Sequence, residues 1–164
     1  RQIKKNDAQR FNDHSLRPRT CPAQRPILGC RRGAKKSSHL ANSFGDPKLK
    51  ALVELRISQI NGCGFCLDLH STEARKLGEH SQRLDCLSVW REVSFYTDRE
   101  KAALAWAEAV TLVGETRVPD EVYAEAKTYF TDEQLVVLTA IIGAMNVWNR
   151  LSISFRNAPR TRAA

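Results

Sequence analysis

The chain has 164 residues, 42% of them hydrophobic and 27% charged, with only 6 Pro and 8 Gly; this suits one globular domain able to bury a core. Its formal net charge of +8 is unevenly placed. Residues 1–38 hold 11 Lys/Arg against 2 Asp, and residues 39–164 hold 15 Lys/Arg against 16 Asp/Glu, which excludes a uniformly basic nucleic-acid-binding body.

Residues 1–38 carry three prolines and isolated apolar residues with no sustained period of 3.6 or 2. Such a segment buries too little surface to offset its ordering entropy, so it is expected to be an irregular basic arm. Phe11 is its one aromatic, and the arm reads as a solvated extension rather than a nucleic-acid tail. No apolar run of signal-peptide length follows Arg1, so a cytoplasmic protein is expected.

Residues 39–164 form the expected folded domain. Asp46-Pro47 places an N-cap carboxylate before a proline suited to the first helical position. Leu49, Leu52, Val53, Ile57 and Ile60 then predict a helix to about Ile60. Asn61-Gly62 breaks the chain, and a second helix is expected from Cys63 to Leu77, ended by Gly78. A short third helix is expected from Ser81 to Trp90. Thr97 with Glu100 makes a capping box for a fourth, running to about Val113 with Ala103, Trp106, Ala107 and Val110 as its buried stripe.

Pro119-Asp120-Glu121 opens a helix through about Phe130, and Thr131 with Gln134 caps the last and longest. Its expected stripe is Leu135, Leu138, Ile141, Ile142, Met145, Trp148, Leu151 and Phe155. The apolar run from Leu135 to Trp148 reads as too short and interrupted to span a bilayer. With no β alternation, Gly-rich phosphate loop or solenoid repeat, the fold class is all-α.

Cys63, Cys66 and His70 carry the chemistry. At 100° per residue they fall within an arc of about 60° on one helix face. At a helix N-terminus, unpaired amides and the macrodipole favour thiolate over thiol, which predicts lowered thiol pKa values. His70, one turn beyond Cys66, is placed to take the thiol proton, and Cys63 is placed to close a disulfide with Cys66. Oxidation of one thiolate by peroxide would give a sulfenic acid that the second thiol converts to the disulfide.

Two blander readings compete. Cys63, Cys66 and His70 could ligate zinc, but a structural site needs a fourth ligand and Cys86 is the one candidate, in an apolar context. The pair could also be core cysteines, against which stand the Asn61-Gly62 break and the polar His70 on the same face. Cys86 itself reads as a core residue.

The stretch ELRISQINGCGFCLDLHSTEARKLGE, with QRLDCLSVWRE, FYTDREKAALAWAEAVTLV, VPDEVYAEA and AIIGAMNVWNRLSISF after it, closely resembles the AhpD-like branch of the carboxymuconolactone decarboxylase superfamily. The resemblance covers roughly residues 39 to 156 and rests on SQINGC, the CxxC and the following xxxH together. It implies an all-α, AhpD-like domain with the CxxC at the N-terminus of a core helix, assembled as a homotrimer or trimer-based hexamer. It further implies a thiol peroxidase re-reduced by a dithiol protein, lipoylated or thioredoxin-like, without metal, flavin or other cofactor. By the same resemblance Cys66 would react with peroxide, Cys63 would resolve, and His70 would transfer the proton. The helix dipole alone would favour Cys63 as the more acidic thiol.

The best-studied members carry a relay glutamate at the position of Ala51 here. Glu54, about 60° around the same helix, is either its replacement or a surface residue; Glu73, three residues after His70, is a second orienting candidate, set against a plain exposed charge. The expected function is reduction of hydrogen or organic peroxides by the Cys63/Cys66 pair. Two alternatives are a decarboxylase-type lyase, whose chemistry needs no CxxC, and a non-catalytic dithiol sensor using the basic arm for nucleic acid.

Overall fold

The structure is a computed structural model that describes residues 44–161. The arm at 1–38, with Cys21 and Cys30, lies outside the described residues. Among those described, every regular element is helical. Asp46 caps α1 (Pro47–Asn61), accepting the Leu49 amide at 3.0 Å and holding Arg99 at 2.7 Å. Gly62 follows in the left-handed region at φ 66°, where a side chain would be strained. There its N–H donates to the Gln59 carbonyl and the Cys63 N–H reaches back to that of Ser58 at 3.0 Å. That reversal fixes where Cys63 starts α2 (Gly64–Lys76), with Cys63 as its N-cap.

α1 is the hub of the fold, packing against α2, against α4 (Asp98–Thr111) and against α7 (Asp132–Ser154). Leu49, Val53 and Ile57 enter one apolar cluster with residues of α4 and α7, while Ala51, Leu52 and Leu55 enter a second with Leu84, Leu87, Trp90 and Leu104. Glu54 and Ser58 sit at the seam between those faces, both buried. A helix apolar on two sides thus carries its polar pair inward, toward α2 and α7.

The expected third helix is shorter than its apolar pattern suggested. α3 (Ser81–Asp85) gives way to a 3-10 helix over Leu87–Glu92, where Val89 leaves helical geometry at φ −119°. A 3-10 turn repeats every three residues and brings both Leu87 and Trp90 inward. Trp90 Nε1 donates to Glu108 at 2.9 Å, as do Arg56 at 2.7 Å and Arg91 at 2.5 Å. Burial opposes ionisation of Glu108, yet these three donors hold its carboxyl below the usual range.

α4 (Asp98–Thr111) opens with the expected Thr97–Glu100 capping box and buries Ala103, Trp106 and Ala107, with Val110 partly covered. It ends two residues early, and α5 (Val113–Thr116) adds a separate turn. The chain then passes Arg117 and Val118 at φ 57° and 53°, a strained conformation for a β-branched residue. Thr116 stabilises this corner, its hydroxyl donating to the Ala109 carbonyl and accepting from the Val118 amide. α6 (Asp120–Tyr129) and α7 (Asp132–Ser154) follow, the latter under the expected Thr131–Gln134 box.

The stripe of α7 departs from expectation at its C-terminal end. Leu135, Leu138, Ile141, Ile142 and Met145 are buried as read, but Phe155 is 60% exposed while Asn149 and Ser152 are buried. Continuing the face of Leu138, Ile142 and Met145 at helical spacing leads to 149 and 152, so the core face turns polar there. Asn149 accepts from Asn61 Nδ2 at 2.9 Å and donates to the Ser58 hydroxyl at 3.3 Å. α7 is 23 residues long and holds an 18-residue stretch of mean hydropathy 1.4, enough by length and composition alone to cross a membrane. Here its buried face packs on α1 and α4.

Truncating Asn149 to alanine opens a cavity and strips the Asn61 and Ser58 contacts. A loss of about 2–3 kcal/mol is expected, read as a lower urea midpoint at unchanged slope.

Candidate active site

Cys63 and Cys66 are free thiols, 1% and 2% exposed, at the first turn of α2. The Cys63 sulfur accepts the Cys66 amide N–H at 3.4 Å, so one of the helix's orphan donors is spent on it. Cys66 faces the polar end of α7, where Asn149 and Ser152 are its hydrogen-bonding partners.

The expected lowering of both thiol pKa values does not hold for Cys66. Burial pushes its thiol from 9.0 up to about 12, and the Cys63 sulfur adds to the rise, while contacts with Ser152 and Asn149 act the other way. Desolvation of the anion outweighs the favourable helix terminus. At pH 7 the resting thiolate is then scarce. Chemistry at Cys66 therefore requires a base that takes the proton as the sulfur reacts.

His70 stands one turn beyond Cys66 on α2 and is 8% exposed. Its Nδ1 lies 2.9 Å from Glu73 Oε2 and 3.5 Å from Glu54 Oε2. Two carboxylates on one nitrogen assign the proton to Nδ1, leaving Nε2 as the acceptor. Glu54 is 5% exposed and bound by Lys50 at 2.7 Å, so it is not a surface residue. Ala51, the position of the absent glutamate, is buried beside it. Glu73 bonds His70 yet keeps a side chain 47% exposed; the His70 hydrogen bond outweighs partial burial and holds its carboxyl below the usual range.

A solvent-open cleft of about 340 Å³ is lined by Lys50, Ala51, Glu54, Glu73, Lys76 and Leu77, so the Glu73 carboxylate meets water while His70 stays buried. Ligating atoms of Glu54, His70 and Glu73 lie within 4.8 Å of one another, but the Lys50 ammonium already supplies positive charge to this group. Among the described residues, Cys63, Cys66, His70 and Cys86 do not form a group with metal-ligand spacing; the group that does is Glu54, His70 and Glu73.

Sequence reasoning found Cys63, Cys66, His70, Glu54 and Glu73 but missed Lys50, Ser58, Asn149 and Ser152. Lys50–Glu54 is an i, i+4 pair that was available as a signal. Asn149 and Ser152 were detectable as polar residues at apolar-face spacing.

Residues 34–109 match the Carboxymuconolactone decarboxylase family. An uncharacterized Bacillus subtilis protein, YdfG, is 47% identical over 108 residues, covering 66% of this chain and 74% of that protein. The uncharacterized YnjA of Escherichia coli is 33% identical over 107 residues, covering 65% of this chain and 58% of its own length. A crystal structure of an Agrobacterium tumefaciens protein of unknown function, provisionally described as an antioxidant defence protein AhpD, superposes with a TM-score of 0.74 at 37% identity, over 82% of this chain and 94% of that one. An uncharacterized peroxidase-related protein from Silicibacter sp. shares the fold at a TM-score of 0.66 and 18% identity, over 77% and 70% of the two chains. With its helical architecture and the arrangement of Cys63, Cys66 and His70 on α2, the chain belongs to the carboxymuconolactone decarboxylase family, in its AhpD-like branch.

Proposed function

We propose that this chain is a thiol-dependent peroxidase that reduces hydrogen or organic peroxides through the Cys63/Cys66 pair. The observation that carries the reading is the pair of free thiols at the head of α2, one turn from an imidazole held through Nδ1 by carboxylates. His70 Nε2 takes the Cys66 proton as the sulfur attacks a peroxide oxygen. An S–O bond forms, the O–O bond breaks, and the leaving alkoxide or hydroxide receives that proton. The Cys63 sulfur then attacks Cys66 sulfenic acid, forming S–S and releasing water that carries the Cys63 proton. An external protein dithiol, lipoylated or thioredoxin-like, returns both thiols and becomes a disulfide itself.

Ser152 and Asn149 stabilise the sulfur anion in the transition state, where charge on Cys66 is greatest. The N-cap position of Cys63 favours a second assignment, with Cys63 as the attacking thiol and Cys66 resolving. The lyase reading leaves the dithiol without a task. For assembly, a groove lined by Trp106, Tyr123, Leu135 and Val136, with Tyr123 and Val136 exposed, supports self-association, for which a homotrimer or trimer-based hexamer is proposed. A dithiol cycle of this kind suits the reducing cytoplasm.

The test is stoichiometric peroxide followed by mass spectrometry of the unreduced protein. The expected product is an internal Cys63–Cys66 disulfide with loss of two hydrogen masses, and peroxide consumption in the presence of a dithiol reductant. Protein that keeps both thiols and consumes no peroxide rejects the reading.

A further inference from the structure

We infer that Glu73 is the positioning residue that holds His70 in the tautomer with Nδ1 protonated and Nε2 free, completing a Glu73–His70–Cys66 triad whose carboxylate end faces solvent. The inference rests on the acid–base pairing of His70 with Cys66 and names the group that governs it. Two carboxylates compete for Nδ1, and their surroundings divide the work. Glu54 Oε2 is 3.5 Å away and is held by Lys50 at 2.7 Å, so much of its charge is already neutralised. Glu73 Oε2 is 2.9 Å away, a hydrogen-bonding distance. The charged groups lining the cleft around these carboxylates are Lys50 and Glu54 from α1 and Glu73 and Lys76 from α2. With two cations and two anions in balance, the loss of either carboxylate leaves a net positive charge beside the imidazolium.

Glu73 also lies in the cleft, where a small anion can replace it. Lys50 and Lys76 line the same space, and a carboxylate of acetate size fits within about 340 Å³. An orienting carboxylate of this kind fixes the tautomer and stabilises the imidazolium without itself taking the proton.

The experiment measures Glu73→Ala, Glu73→Gln and Glu73→Asp in two assays: alkylation of Cys66 by iodoacetamide from pH 5 to 10, resolved from Cys63 by peptide mass spectrometry, and peroxide consumption with a dithiol reductant. Glu73→Ala is expected to slow both by roughly tenfold to a hundredfold, and sodium acetate is expected to restore part of the rate in a saturable way that sodium chloride does not. Glu73→Gln keeps an acceptor for Nδ1–H but no charge, so its acid limb moves to lower pH; Glu73→Asp retains more activity than either. Wild-type rates and profiles in Glu73→Ala, or an equal loss in all three variants without acetate rescue, overturn the proposal. The alkylation arm contains no peroxide. A wild-type protein that consumes none therefore sinks the peroxidase reading while leaving the Glu73 result to stand or fall by itself.

Discussion

Cys66→Ser is expected to lower peroxide consumption by at least a hundredfold, to the background of the reductant alone. Serine is near in shape and leaves the packing around Asn149 and Ser152 in place, so the loss reports chemistry and not folding. Cys63→Ser is expected to stop turnover at a different point: one equivalent of peroxide is consumed, and Cys66 sulfenic acid is trapped by a dimedone-type reagent. The reverse pattern, with sulfenic acid on Cys63 and first-equivalent consumption retained in Cys66→Ser, exchanges the roles of the two sulfurs.

The same variant has a signature in stability. The Cys66 pKa is raised from 9.0 to about 12 in the fold, so the unfolded chain loses its proton first. Stability therefore falls as pH rises from about 9 toward 12, by at most about 1.4 kcal/mol per unit from this group. Tyr96, raised from 10.0 to about 12 mainly by its burial, adds to the fall only above its unfolded value. Cys66→Ser should thus flatten the curve between pH 9 and 10; an unchanged slope there contradicts the buried neutral thiol.

The second large effect is at His70. With so little resting thiolate, removal of the base should cost on the order of 10²–10⁴ in rate near neutral pH. His70→Ala is expected to show that loss in peroxide consumption and in Cys66 alkylation, both recovering as the pH climbs and hydroxide replaces the base. Alkylation that keeps the wild-type pH profile removes His70 from the mechanism. Glu54→Gln moves in the same direction by less, because Glu73 still holds Nδ1 while Lys50 loses its partner.

The helices of this chain were legible because their ends are written in local chemistry: Asp46-Pro47, Gly62, Gly78 and two capping boxes act within one turn of themselves. The kink at Val89 and the turn at Val113–Thr116 were not, since each depends on what Trp90 and Val118 meet across the core. The stripe of α7 failed for a related reason. Trp148 packs against the core partly buried, but Leu151 and Phe155 only look like core residues by composition: the partner surface at that end is Ser58, Asn61 and the thiols, which select Asn149 and Ser152.

Sequence alone determined the all-α class and the placement of Cys63, Cys66 and His70 on one helical face, because spacing along a helix converts directly into direction; it left Glu54 and Glu73 as open candidates. Only the tertiary structure decided what those groups are. Packing of α7 over α2 desolvates Cys66 and turns a thiol expected to be acidic into one that resists ionisation. Packing of α1 against α2 brings Glu54 and Lys50 onto a histidine that the sequence separates from them by 16 and 20 positions. The dielectric around a sulfur and the neighbours of an imidazole are set by segments distant in the chain, and local spacing carries no record of them.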